Sequence, residues 1–514
     1  MTARKDTFYI TTPIYYVNDV PHIGHAYTTV AADVVARWKR LNGLDVRFLT
    51  GTDEHGQKVA LAAEQRGMTP QQHVDDIIPR WTELLDLLRI SNDDFIRTTE
   101  PRHKERVQEF MQQLYDQGDL YTATYAGPYC VRCEAYYTVE ELLDGELCPI
   151  HRKPVEQMQQ ENWFFRLSKY QDDLLKLYAE HPEFVRPESR LNEVKAFVES
   201  GLQDISASRS AFDWGVEVPW EPGHVFYVWF DALLNYATAA GYGADPEAFA
   251  RRWPADIHLI GKDIVRFHAV YWPAMLMAGG LEVPKQVYAH GFLLVGGEKM
   301  GKSNATGIAP ATLVDHFGVD AYRYYFLREI SFGHDGTFSW ESMEQRYTTD
   351  LANDLGNLVN RVLNMVGSYF DGAVPEPTGV EGEAEAALTA DLQTALEGVQ
   401  AFDTLDFKKA LEDLWVLVGG VNRYIEARAP WALNKQGARD DLARCLYTCV
   451  DMLRVIAILV SPVMPDAAEA LWAKLGLAEP LGAQRHPQHT RAGLLPPGVA
   501  VDRGNVLFPK LAED

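Results

Sequence analysis

The chain has 514 residues, 47% hydrophobic and 23% charged, too long for one core and ordinary in balance, which excludes a mini-protein and a disordered polymer. Its 48 Lys and Arg against 72 Asp and Glu leave a formal charge of −24, opposing broad attraction to nucleic acid or an anionic membrane, so any RNA must meet local basic patches. No apolar run approaches the roughly 20 residues of a membrane span, and "MTARKDTFYI" lacks a signal-peptide stretch, so a cytoplasmic protein is expected.

In chain order, "TFYITT" (7–12) reads as a strand, followed by a loop through "PIYYVNDVP". A helix from His22 to Leu41 follows, with Val30, Val34, Trp38 and Leu41 spaced near 3.6 and Gly43 as a stop. "DVRFLTG" (45–51) is a second buried strand, so the opening is a β-α-β unit of the doubly wound type, whose ligands sit at the carboxyl ends of strands. From 118 to 225 short strands, turns and three of the five cysteines take over, the pattern of an insertion into one sheet. Strand-like runs resume at "HVFYVWFDAL" (224–233) and "DIHLIGKD" (256–263). Beyond about 340 the text is helical, with amphipathic stretches at 350–370, 387–402, 407–428 and 439–460, the pattern of a helix bundle. "HPQHTRAGLLPPG" is expected to cross the surface before "VLFPKL" packs back.

Three motifs carry chemistry. "GGEKMGKS" (296–303) satisfies the phosphate-loop pattern G-x-x-x-x-G-K-S. A Walker lysine and serine should open a helix directly, however, and "NATGIAP" places Gly307 and Pro310 there, so the helix is expected to begin near Pro310. The run "VFYVWFD" ending at Asp231 favours the phosphate loop, since it could pass for a Walker B strand. In "PHIGHAY", His22 and His25 lie three apart at a helix start, on one side and near the positive end of the dipole, where a phosphate is at home. Gly24 between them allows close approach of a flat base; that spacing alone also fits a structural pair. "CVRC" (130–133) and "CPIH" (148–151) give C-x2-C-x14-C-x2-H. Cys130, Cys133, Cys148 and His151 make a closed tetrahedral set for one structural zinc, the alternative being three buried thiols and an unrelated histidine.

"HIGH" in the first βα turn with "KMGKS" far downstream resembles the class I aminoacyl-tRNA synthetases. With "PIYYVND", "TGTDEHGQK" (50–58), "YVWFDALLNY" (227–236), "GKDIVRFH" (261–268) and "AHGFLLVGGEKMGKS" in family order, the chain resembles the methionyl-tRNA synthetases of bacterial type over most of its length. One position departs, Gly301 standing where the family usually has Ser.

The resemblance implies a Rossmann-type doubly wound α/β sheet split by a zinc-bearing insertion and followed by a helical anticodon-binding bundle. The expected parts are 1–117, the first catalytic half; 118–225, the insertion with a zinc knuckle; 226–290, the second half; 291–349, a stem-contact region with the lysine loop; and 350–514, the anticodon domain with its return segment. It implies activation of L-methionine by ATP to methionyl-adenylate plus pyrophosphate, then transfer to the 3′ end of initiator and elongator tRNA(Met), with Mg²⁺ on ATP and no DNA or membrane partner. His22, His25, Lys299 and Lys302 would stabilise the charge spread in the transition state. Gly24, Asp263 and Ser303 join them in holding ATP, Asp263 on the ribose. Asp53 would take the methionine ammonium, and Ile14, Tyr16, Trp229, Leu233, Tyr236 and His290 would line an apolar, sulfur-tolerant pocket. Asn357, Arg361 and Trp431 are expected at the anticodon, by stacking and edge hydrogen bonds, with Arg423 and Arg428 near phosphates. With no appended C-terminal domain in view, a monomer is expected. A synthetase for Ile, Val or Leu would need a large editing insertion, and a catalytically silent paralogue sits poorly with intact His22, His25, Asp53 and Lys302.

Overall fold

The computed structural model describes residues 6–17, 20–130, 135–137, 139–149, 152–295, 298–299 and 308–511. Cys133, His151, Gly301, Lys302 and Ser303, singled out above, lie outside the described residues, as does the side chain of Lys299. The chain divides into two compact units, one of Met1–Pro21, Val46–Leu84 and Asn92–His290, the other of His22–Asp45, Leu85–Ser91 and Gly291–Asp514.

The first unit is built on strands β1 (Thr7–Tyr16), β2 (Asp45–Asp53), β3 (Asp94–Arg97), β4 (Leu120–Cys130), β5 (Glu156–Phe165), β6 (Val185–Arg186), β7 (Ile257–Gly261) and β8 (Val287–His290). Six of them form a sheet in the order β3-β2-β1-β7-β8-β6, with β2/β3, β1/β7, β7/β8 and β8/β6 parallel. The chain runs from β1 outward to β2 and β3, and only much later returns with β7 on the other side of β1. The order thus reverses between β1 and β7, the switch point beside which sheets of this kind bind ligands. Tyr9, Leu49, Ile96, Ile260 and Val287 feed one buried core from five of these strands.

Two expectations change here. β1 continues through Tyr16 rather than breaking into a loop at Pro13. Its ladder with β7 pairs Ile10 with Ile257 and Thr11 with His258, so Pro13 stands beyond that register and its missing N–H takes no bond from it. The run 224–233 is a strand only at Val225–Phe226 and then a helix, Val228–Ala232. Its aromatic and β-branched residues favour a strand by propensity, but burial of Asp231 between partners from two other segments decides the local winding. With Asp231 inside a helix rather than at the end of a strand, the Walker B reading fails. The insertion is an antiparallel pair, β4 and β5, in register from Leu120↔Phe165 to Tyr129↔Glu156, with Cys130 at its far end.

Helix α1 (Ile23–Leu41) belongs to the second unit and α2 (Pro101–Asp116) to the first. The second unit continues with α3 (Val319–Glu329), α4 (Asn357–Tyr369), α5 (Glu383–Gly398), α6 (Phe407–Arg428), α7 (Pro430–Gln436), α8 (Arg439–Val460) and α9 (Pro465–Lys474). The first helix described after the lysine motif is Pro310–Phe317, as expected. α6 and α8 span the residues expected, while α5 starts earlier because Glu385 reaches back to the Gly382 N–H, 2.8 Å, and caps the new first turn. The stretch expected as one helix over 350–370 is π-helical at Tyr347–Gly356 before α4. An amphipathic pattern does not separate these windings; here Asp350 is held by the Tyr324 hydroxyl at 2.8 Å and Arg346 at 3.3 Å.

A fully buried arginine knits this unit together. Arg323 on α3 donates to Asp33 of α1 at 2.6 Å, and to the carbonyls of Leu88, Pro462 and Val463 at 2.9, 2.9 and 2.8 Å. Asp33 also accepts from Arg37 and from the Ser91 N–H, both at 2.7 Å. Burial alone would raise its carboxyl, but the Arg323 and Arg37 guanidiniums hold it below the usual carboxylate range.

Candidate functional site

In the first unit, β2 ends at Asp53 and runs into a segment whose residues Thr52, Asp53, Glu54 and His55 are all buried. Burying three ionisable side chains in a row is costly unless each is paired, and the pairing is extensive. Glu54 accepts from Thr52 (2.7 Å), twice from Arg97 (2.6 and 3.0 Å) and from Thr99 (2.5 Å), while its own N–H donates to Thr98 at 3.0 Å. Trp214 donates its indole N–H to the Glu54 carbonyl at 2.6 Å and accepts the Gly56 N–H on its own. His55 Nδ1 donates to Asp231 Oδ2 at 2.6 Å, and His103 Nε2 to Asp231 Oδ1 at 2.7 Å. Burial pushes the Asp231 carboxyl up, but the two imidazoles outweigh it and hold it at about 2.

Beside this segment lies an aromatic cluster. Ile14 and Tyr16 share one side of β1 and, with Trp229, pack half-buried against a core that includes Leu233 and Tyr236. The Tyr16 and Trp229 rings meet edge to face at 6.4 Å. Phe267 stacks on Trp229 at 3.7 Å, and His268 meets Trp229 edge-on at 6.1 Å. A π-helical turn, Phe267–Tyr271, presents both residues, a winding frequent at functional sites. The negative charge of Asp53 reaches the buried Tyr236 phenol, although burial is the larger cause of that phenol's raised pKa.

His268 was not among the residues expected here, though it closes the quoted motif "GKDIVRFH". Its Nδ1–H donates to the Ile264 carbonyl at 3.0 Å, so Nε2 is the acceptor for the Tyr236 hydroxyl at 2.8 Å. Burial pushes its pKa down to about 4, which keeps the ring neutral at pH 7. The signal that could have found it is the four-residue offset from Ile264, which places a histidine over its own helix carbonyl. His258 repeats the arrangement, bonded to Thr11 at 2.8 Å and accepting the Trp272 indole N–H at 3.2 Å. Asp263 stands exposed on the turn Lys262–Ile264 after β7, and His290, buried at the end of β8, pairs in register with Gly261.

In the second unit, His22 caps α1. Its Nδ1 accepts the Gly24 N–H at 3.0 Å, and His25 Nδ1 accepts the His22 N–H at 3.3 Å, a capping box made of two histidines. The rings stack at 3.8 Å. With both Nδ1 atoms accepting, each neutral ring carries its proton on Nε2. A Cβ at position 24 would come within 2.9 Å of His22 Cε1, so Gly24 is required for the capping pose itself. Lys299 lies in a short strand whose backbone pairs with Leu294.

Cys130 and Cys148 are buried in the insertion. The Cys148 N–H donates to Lys153 O (2.9 Å) and its carbonyl accepts the Arg152 N–H (2.8 Å), with Arg152 at φ 52°. No group of three or more metal-binding side chains occurs among the described residues, two of the four expected ligands lying outside them. Asn357 and Arg361 lie one turn apart on α4, with Arg361 paired to Glu426 at 2.6 Å. Trp431, on α7, is 45% exposed. Arg423 is paired with Asp391 at 2.8 Å and Arg428 with Asp441 at 3.2 Å.

Residues 8–158 and 140–363 match the family described as tRNA synthetases class I (M), and residues 374–514 match the anticodon binding domain of methionyl tRNA ligase. The chain is 54% identical to the methionine–tRNA ligase of Streptomyces coelicolor over 98% of this chain and 97% of that protein. It is 50% identical to the enzyme of the same name from Caldanaerobacter subterraneus, over 99% of this chain and 79% of that one. The Mycobacterium tuberculosis methionyl-tRNA synthetase in complex with methionyl-adenylate superposes with a TM-score of 0.93 at 45% identity, over 98% of this chain and 99% of that one.

Proposed function

Because this chain belongs to the methionine–tRNA ligases of the class I tRNA synthetase family, we propose that it activates L-methionine with ATP and charges tRNA(Met). A methionine carboxylate oxygen attacks the α-phosphorus of ATP, the bond to the β-phosphate bridging oxygen breaks, and pyrophosphate leaves. The 3′-terminal ribose hydroxyl of initiator or elongator tRNA(Met) then attacks the adenylate carbonyl, loses its proton and expels AMP. Neither step needs a covalent catalyst, so positioning and charge stabilisation carry the rate.

The observation that carries this reading is the aromatic cluster of Tyr16, Trp229 and Tyr236 beside the buried Asp53 segment. Asp53 binds the ammonium, while Ile14, Leu233 and His290 complete a pocket for a flexible thioether. His268 belongs to it too: its Nε2 accepts the hydrogen bond from the Tyr236 hydroxyl, which leaves the phenol oxygen's lone pairs for the substrate side. Such a pocket prefers methionine to an amino acid one methylene shorter by about 1 to 3 kcal/mol.

For ATP, Nε2–H of His22 and His25 suits phosphate oxygens at the positive end of α1, Asp263 suits the ribose, and Gly24 keeps the backbone low. Lys299, Lys302 and Ser303 act on the pyrophosphate, and Mg²⁺ carried with ATP would supply further positive charge there. Buried Cys130 and Cys148 fit a structural zinc completed by Cys133 and His151; when bound, that ion would cross-link the insertion and take no part in the chemistry. Asn357, Arg361 and Trp431 read unstacked anticodon bases. The exposed Arg423 can exchange Asp391 for a phosphate at little cost, while Arg428, held also by the buried Glu385 at 3.4 Å, would meet a phosphate from a fixed pose. The site of action is cytoplasmic; no helix among the described residues is long and apolar enough to cross a membrane.

Amino-acid-dependent ATP–pyrophosphate exchange across a panel of amino acids tests the reading. Exchange is expected with methionine; exchange with another amino acid but not methionine would overturn the substrate, and none with any would overturn the enzyme.

A further inference from the structure

The carboxylate of Asp231 is fully buried and bridges two histidines from different parts of the chain. His55 lies two residues after Asp53. Asp231 lies two residues after Trp229, two before Leu233 and five before Tyr236. The 2.6 Å bond from His55 to Asp231 therefore ties the segment that carries the ammonium-binding carboxylate directly to the helix that carries Trp229 and leads into Leu233 and Tyr236. His103, on α2, pins the same carboxylate from a third element. Glu54 locks the same segment to Arg97, Thr98 and Thr99 around the end of β3, and Trp214 holds the backbone on either side of His55.

A well-packed apolar trio would stabilise this spot at least as well as an ionised carboxylate between imidazoles. What the polar trio adds is a fixed distance, because hydrogen bonds have a defined length and direction where apolar packing tolerates slippage. We propose that Asp231 is a positioning residue for amino-acid selection, setting through His55 the spacing between the Asp53 carboxylate and the pocket around Trp229 and Tyr236. The inference rests on the methionine pocket proposed above. It makes selection for an unbranched side chain of thioether length a property of this bridge as well as of the pocket walls.

The other ring nitrogens, His55 Nε2 and His103 Nδ1, are buried with no partner among the described residues. Asp231→Asn can therefore keep both bonds, one imidazole donating to the amide oxygen and the other accepting from the amide nitrogen after its proton moves to the far nitrogen. Asp231→Ala can keep neither. The test is pyrophosphate exchange with methionine, norvaline and ethionine, with adenylate-burst titration to count folded, active sites.

Per active site, Asp231→Ala and His55→Ala are expected to raise KM for methionine on the order of tenfold or more and to shrink the preference for methionine over the shorter and longer analogues. KM for ATP should stay within about twofold, Asp231→Asn should recover most of the loss, and His103→Ala, which leaves the bridge to the Asp53 segment intact, should do less harm than His55→Ala. Unchanged methionine KM and selectivity, or equal rises in the methionine and ATP KM, would overturn the proposal. Should Asp231→Ala not fold, the contrast between His55→Ala and His103→Ala decides it, and equal effects in that pair count against it. Absence of methionine-dependent exchange in the unaltered protein would instead sink the pocket reading beneath it.

Discussion

The buried histidines differ from the capping pair in what their nitrogens must do. His22 and His25 spend Nδ1 on the start of α1, whereas His268 and His258 are kept neutral by burial. Burial holds the folded pKa of His268 at about 4, against the opposing pull of the Ile264 carbonyl and Asp263, below the roughly 6.5 of an unfolded histidine. As pH falls below 6.5 the unfolded chain takes up that proton first. The stability contributed by the neutral ring is therefore complete above about pH 6.5 and is lost as pH falls toward 4, at up to about 1.4 kcal/mol per pH unit. Urea unfolding from pH 7.5 to 4.5 should show a steeper loss for the wild type than for His268→Gln; parallel curves would remove His268 from this role. Gly24 shows the limit of motif reading at this scale. Its small size is legible as close approach, but that the approaching group includes the ring of His22 follows only from the capped pose.

Helix α1 brings the histidine pair to its N-terminus, and Arg323 holds its middle. Replacing Arg323 by Leu removes donors from Asp33 and from three buried carbonyls, which should cost about 3 to 5 kcal/mol in denaturant unfolding. The double change with Asp33→Leu should cost less than the sum of the single changes, since no unpaired charge then remains; strict additivity would deny the coupling. For the cysteine hairpin, metal analysis should return close to one zinc per chain, and Cys130→Ala should release it; a folded, zinc-free wild type would refute the ligand set. α6 and α8 were legible to the residue because their apolar positions recur at helical spacing from end to end. The run 224–233 was not, because it is apolar throughout, and its one informative residue, Asp231, declares helix only once His55 and His103 are beside it.

On the scale of the whole chain, a formal charge of −24 must coexist with RNA binding. Affinity for tRNA(Met) is expected to fall steeply with salt, each single-strand phosphate contact contributing about −0.7 to the log–log slope. Arg423→Ala should make that slope shallower in filter binding, and a slope near zero for the wild type would argue against phosphate contacts of any number. The linear order of residues was enough to determine the family, the reaction and the elements with clean periodicity, because HIGH, the lysine motif and the amphipathic stripes are local patterns, each imposed by one turn, one loop or one helix face. Only the tertiary structure decided that β1 runs past Pro13, that His268 accepts from the Tyr236 hydroxyl, and that Asp231 receives two histidines. Those features depend on bonds between segments as far apart as His55 and Asp231, and a pairing at such separation leaves no period in the chain to read.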